Sequence, residues 1–186
     1  LVRVVLGSVP QPGGLHFLQL KNDSGLFSND MMFYVEQLAA LPRTGNLIES
    51  GGTFSDGFDE HWNTVELVSD SISVVGGEVL VAVREQSSDP WRAQLSHSVM
   101  VQQGQQYTIC YEARAEGPRV MTAYVDTNLD EYGNLSGGQF RADLTASSQT
   151  FSHTFMAFAT DLRARVAFDF AQSALDVRID NIGLYE

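Results

Sequence analysis

The stretch YTICYEARA constrains the fold of this chain more than any other. Tyr107, Ile109, Tyr111 and Ala113 share one parity and leave Cys110 on the other. That is the period-two signature of a strand with one face in a core and the other towards water. RARVAFDF and LDVRIDNIGLY follow the same rule. Gly, Asn, Asp and Ser separate such runs at short, regular intervals. The pattern predicts strands over 46–54, 64–75, 78–84, 91–101, 107–115, 119–126, 138–145, 149–158, 163–170 and 175–185. VQQGQQY reads as a hairpin connection in which Gly104 can take positive φ. The best helical candidate is DMMFYVEQLAAL, whose propensities permit about three turns. Many strands and almost no helix predict an all-β chain: an antiparallel sandwich or barrel with one polar face available to a ligand.

Pro42 and Gly45 punctuate LPRTGNLIES, which places a boundary there, with a new strand from Asn46. Residues 1–45 have two readings. VRVVLGS, a looped stretch and FYVEQLAAL parallel ARVAFDF, a shorter loop and VRIDNIGLY, with Glu36 and Gln37 where the tail has Asp180 and Asn181. On that reading they are the closing strands of a preceding, similar domain. On the other they are unrelated strands, a packed helix or a linker. The first residue already lies in an apolar run, so the chain reads as a piece of something longer.

Charge and cysteine count remove several functions. A net charge of -12 with 11 Lys+Arg argues against nucleic acid, because phosphate binding needs a basic face. No apolar run approaches a membrane span. Cys110, the single cysteine, rules out an internal disulfide and a cysteine-rich zinc cage. No His or Asp arrangement around it suggests a nucleophile, and we read it as inert.

From Asn46 to Glu186 the order of motifs resembles carbohydrate-binding modules of family 4 and its relatives, families 9, 16 and 22. NLIESGGTF is similar to their opening; the tryptophan of DEHW, GGEVLVAV, PWRAQL and VQQGQQYTICYEARA follow in order; VRIDNIGLYE matches their close. The resemblance implies an antiparallel β-sandwich of the jelly-roll type over 46–186. It also implies non-catalytic polysaccharide binding of a β-glucan or xylan chain in a groove. Such modules are appended to the catalytic domains of secreted glycoside hydrolases, so an extracellular setting is expected.

Members commonly hold a structural calcium that ties the first strand and an early loop to the last strand. The matching positions are Asp180 for a carboxylate, with carbonyls of Thr53 and Gly77; one extra residue in ESGGTF makes Thr53 the least secure. The alternative for Asp180 is a hydrogen bond to the first turn without metal.

A glycan chain needs flat aromatic surfaces for its C–H faces and side chains that bond its hydroxyls in pairs. Trp62 follows the first strand and reads as core. Trp91, after the turn signal SSDP, reads either as a stacking platform at a cleft rim or as packing. By resemblance Asn128 and Tyr132, in DTNLDEYGN, match positions that contact glucan on the concave face; otherwise they belong to an ordinary Asx-turn loop. His97 matches a polar cleft position, although Val99 and Val101 share its parity, and a bulge near Ser98 would reconcile them. Arg165 and Asp169 share a face, with Ala167 between them as a groove floor, or form a surface pair worth little.

Two rivals remain. Glycosidase chemistry needs two carboxylates at controlled separation, and Glu112, Asp126, Asp130, Glu131 and Asp169 form no tight motif. An adhesion or protein-interaction sandwich would bury both tryptophans and show an external apolar patch.

Overall fold

The computed structural model describes residues 45–48, 52–128 and 133–186. The helical candidate DMMFYVEQLAAL and the first copy of the proposed internal repeat lie outside the described residues. Ten strands follow in chain order: β1 (Trp62–Glu66), β2 (Ser69–Val75), β3 (Glu78–Val83), β4 (Ala93–Val101), β5 (Gln106–Ala115), β6 (Arg119–Thr127), β7 (Phe140–Leu144), β8 (Gln149–Met156), β9 (Asp161–Asp169) and β10 (Val177–Tyr185). They form two five-stranded sheets, ordered β1-β4-β9-β6-β7 and β2-β3-β10-β5-β8, and every pairing is antiparallel. This is an antiparallel sandwich, as the alternation predicted, and of the jelly-roll type that the resemblance implied. Among the described residues no helix is long and apolar enough to cross a membrane.

The core lies between the sheets and is filled by alternate residues of each strand. From β5, Tyr107, Ile109, Tyr111 and Ala113 all point inward and are buried. Tyr111 meets Phe168 of the opposite sheet edge-on, with ring centroids 5.2 Å apart, and its hydroxyl lies 3.1 Å from His153 Nε2. Burial of a Leu, Ile or Phe side chain of this kind contributes about 1.5–3 kcal/mol. Trp62 is core as predicted, buried against Phe54 at 5.0 Å. Cys110 points to the outer side of its sheet, half-buried, with Sγ 3.6 Å from Ser152 Oγ.

Two elements differ from the sequence pattern. The run 64–75 is two strands in different sheets, joined at a corner where the amides of Leu67 and Val68 both donate to the Arg92 carbonyl. Alternation continues through a corner, so it does not reveal the change of sheet. The run 46–54 forms no strand among its described residues; Asn46 makes one isolated bridge to Tyr185. The Asn46 side chain replaces ladder partners instead. Its Oδ1 accepts from Ile48 N (3.0 Å) and Leu184 N (2.9 Å), while Leu47 N donates to Leu184 O (2.7 Å). Further along, Ile182 N donates to Gly52 O (2.8 Å). A Cβ on Gly52 would stand 1.9 Å from Ile182 O, so only glycine permits this approach.

The Asp-Asn interruption in β10 is a β-bulge. Pairing with β5 shifts register between Asp180 and Gly183, and Asn181 takes φ 52°. Asparagine tolerates the left-handed region better than most residues.

Candidate functional site

The outer face of the β1-β4-β9-β6-β7 sheet is where this molecule departs from ordinary surface chemistry. Residues that point away from the core there are still buried: Gln94 (2%), Asp126 (3%), Tyr124 (7%) and Asp169 (1%). The cross-strand register explains how they meet. Gln94 of β4 and Thr122 of β6 both stand opposite Asp169 of β9; Ser96 and Tyr124 stand opposite Ala167; Ser98 and Asp126 stand opposite Arg165. The floor therefore has Ser96 and Ala167 at its middle, with long polar side chains above and below along the strands.

Those side chains form one network. Arg165 donates from Nε to Asp126 Oδ1 (2.7 Å) and from an Nη to Asp126 Oδ2 (2.9 Å), a bidentate pair. Its other Nη donates to Gln94 Oε1 (3.0 Å). Gln94 Nε2 donates to Asp169 Oδ1 (2.7 Å) and to the Tyr124 hydroxyl (3.2 Å), and that hydroxyl donates to Asp169 Oδ1 (3.3 Å). Burial pushes the Asp169 carboxyl up to about 6, opposed by the bonds from Gln94 and Tyr124 and by Arg165. Burial also raises Asp126, against the pull of Arg165. Tyr124 is raised by burial and then by Asp169, which keeps it a donor. Chemically, the face offers carboxylate and amide oxygens and a phenol, all held in fixed positions by one another.

The sequence reading placed Arg165 and Asp169 here, and the structure brings them together through Gln94. Arg165 pairs across the strands with Asp126 and not along its own strand with Asp169, which corrects the surface-pair alternative. Gln94, Tyr124 and Asp126 were missed as partners, though each is a polar or amphipathic residue alternating with core residues in WRAQLSH and MTAYVD. Trp91 is 48% exposed, in a one-turn 3-10 element (Pro90–Arg92) that leads into β4, and not in the strand itself. Asn128 is exposed just beyond the end of β6. Tyr132 lies outside the described residues.

His97 is a correction. Register between β4 and β9 is regular from Gln94 to Val99, and the irregularity falls between Val99 and Val101 instead of at Ser98. His97 thus keeps the inward parity of Leu95 and Val99. It is buried against Trp62 (ring centroids 4.8 Å), with Nε2 3.8 Å from Asp59 Oδ1. Burial lowers its pKa against the pull of Asp59, so it is a neutral core residue and no part of the outer face.

The positions expected for a cation are Asp180, Thr53 and Gly77. Asp180 Oδ1 is buried with no hydrogen-bond partner. Burial raises its carboxyl, and Glu78 and Glu112 raise it further. Thr53 lines a small cavity with Asn46, Gly52, Asn181 and Ile182. Gly77 is the second glycine of the β2–β3 turn, where Gly76 and Gly77 have φ 67° and 85°. It precedes Glu78, the next register position after the Val79–Ile179 pair. Among the described residues no group of three or more His, Cys, Asp or Glu gathers for a metal. A cation at Asp180 would therefore take most of its oxygens from the backbone, a mixture that calcium accepts.

No protein-family model and no curated protein matches the chain. Solved structures do. A family 4 carbohydrate-binding module aligns over 72% of this chain and 96% of its own, at 22% identity and TM-score 0.64. The second N-terminal cellulose-binding domain of Cellulomonas fimi β-1,4-glucanase C aligns over 78% of this chain and 92% of its own, at 22% identity and TM-score 0.57. The N-terminal cellulose-binding domain of the same enzyme aligns over 70% and 92%, at 23% identity and TM-score 0.55. At these identities the likeness establishes the fold: the jelly roll of carbohydrate-binding modules.

Proposed function

We propose that residues 46–186 are a non-catalytic polysaccharide-binding module, whose ligand lies on the outer face of the β1-β4-β9-β6-β7 sheet. The observation that carries this reading is the network of Gln94, Tyr124, Asp126, Arg165 and Asp169 on a sheet face that points away from the core. Fixed acceptors and donors of this kind suit a chain of hydroxyls. Exposed Trp91 supplies an aromatic surface for a sugar ring. The fold shared with cellulose-binding domains favours a β-glucan or xylan chain as ligand. The module then holds an attached, secreted glycoside hydrolase or lyase near its substrate and raises effective concentration without doing chemistry.

The catalytic rival fits less well. A glycosidase needs one carboxyl free to give a proton and another free to attack or activate water. Asp126 is locked bidentately by Arg165, so Asp126 and Asp169 do not supply the two free carboxyls that the chemistry needs. The adhesion reading requires both tryptophans buried, and Trp91 is not.

Calcium is the second part of the proposal. Asp180, with carbonyls of Thr53 and Gly77, would hold the ion and relieve the unpartnered Oδ1 among Glu78 and Glu112. Chelator is then expected to lower the melting temperature, and Asp180→Ala to abolish that sensitivity. A melting curve unmoved by chelator sinks the calcium reading.

Affinity electrophoresis against laminarin, soluble cellulose derivatives, xylan and agar tests the binding claim. Retardation by a neutral glucan or xylan is expected, weakened by Trp91→Ala and by Gln94→Ala. Equal mobility with and without every polymer overturns it.

A further inference from the structure

We propose that Asp169 is a proton switch for this face, so that its affinity for a polysaccharide rises as Asp169 loses its proton; this rests on reading the face as the glycan site. Asp169 is 1% exposed, and its hydrogen bonds from Gln94 Nε2 (2.7 Å) and the Tyr124 hydroxyl (3.3 Å) converge on Oδ1. Both donors are neutral. Arg165, which shares the face of Asp169, directs two donors to Asp126 and one to Gln94 Oε1. Among the described residues Asp169 is thus a buried carboxyl that forms no ion pair.

The groups around it come from three strands. Gln94 faces it from β4; Thr122, Tyr124 and Asp126 face it from β6; Ala167 and Arg165 share its face on β9. Of the charged ones, Asp126 favours the protonated acid and Arg165 the carboxylate, while burial outweighs both and sets the midpoint near 6.

The switch works at the second oxygen. In either protonation state Oδ1 continues to accept from Gln94 and Tyr124, so the internal network survives. Oδ2 changes: above the midpoint it is an anionic acceptor for a sugar hydroxyl, and below it carries the proton and donates. A hydroxyl gives a stronger bond to a carboxylate than to a neutral acid. Binding therefore expels the proton, and affinity increases with pH through the midpoint by linkage. The expected change is about three- to tenfold between pH 5 and pH 7.

Isothermal titration at pH 5, 6 and 7, with the polymer that retards the protein on gels, reads the switch directly. The wild type is expected to tighten as pH rises, and Asp169→Asn to bind with a flat profile near the wild-type affinity at pH 5. A carbon-13 carboxyl titration of the ligand-free protein should give an Asp169 midpoint near 6, independently of any polymer. Wild-type binding that is equal at all three pH values, a pH dependence retained by Asp169→Asn, or a midpoint in the ordinary aspartate range overturns the switch and leaves the glycan site standing. Failure of every polymer to bind at any pH overturns the reading of the face itself.

Discussion

The outer faces of the two sheets are written in the same alternating code, yet they reach different physical states. On the β2-β3-β10-β5-β8 sheet the outward residues include Thr108, Glu112 and Arg114 of β5 and Ser152 and Thr154 of β8. They are half-buried or exposed. Their bonds are those of a solvated surface, such as Thr108 to Thr154 at 3.0 Å. Arg114 makes a bidentate pair with Glu78 at 2.5 and 2.6 Å, but the two side chains remain 34% and 25% exposed. On the β1-β4-β9-β6-β7 sheet the Arg165–Asp126 pair is also bidentate, through Nε and one Nη at 2.7 and 2.9 Å, with side chains 17% and 5% exposed. Bond lengths alone do not separate these pairs. Loss of hydration does, because removing one partner of a largely buried pair leaves a charge with little hydration to compensate it.

The largest expected effect breaks the buried side of this comparison. Arg165→Ala should lower stability by about 3–5 kcal/mol in urea denaturation at pH 7, since it strands Asp126. A loss no greater than that of an exposed pair would show that Asp126 is hydrated as well as a surface carboxylate.

Next in size is the pH dependence of folding. The Asp169 carboxyl lies at about 6 in the folded protein against an ordinary 3.8. Between those values the folded chain holds a proton that the unfolded chain has released. Stability from this group is therefore undiminished below 3.8, falls as pH rises through the window, and stays reduced above 6. At about 1.36 kcal/mol per unit the reduction reaches about 3 kcal/mol. Asp169→Asn removes that slope, so its stability relative to wild type should improve by up to about 3 kcal/mol from pH 4 to pH 7. Parallel denaturation profiles for the two proteins would contradict this.

The smallest effect is on the opposite sheet. Arg114→Ala should cost at most about 1 kcal/mol by the same denaturation, because water screens the pair it breaks. A cost equal to that of Arg165→Ala would erase the distinction between the faces.

Much of this architecture was legible in advance. YTICYEARA, RARVAFDF and the tail predicted strands within a residue or two of β5, β9 and β10, because parity is a local property. His97 shows the limit of that reasoning. Its parity pointed to the core, the family resemblance pointed to the cleft, and a bulge was needed to satisfy both. The regular register from Gln94 to Val99 decided for parity. Asp180 and Asn181 stood out in the sequence as a break in alternation, and the break is the bulge beside which Leu47 and Gly52 bond to β10.

By itself the sequence determined which residues point inward and which point out, because side chains alternate along any extended chain. It also determined that the product is all-β. Only the tertiary structure decided which outward residues would meet. Gln94 reaches Tyr124 across 30 residues and Asp169 across 75, and Arg165 reaches Asp126 across 39. Strand order and register set those meetings, and they follow from the packing of the whole sandwich. The same packing left one polar face half-wet and turned the other into a buried, mutually bonded surface.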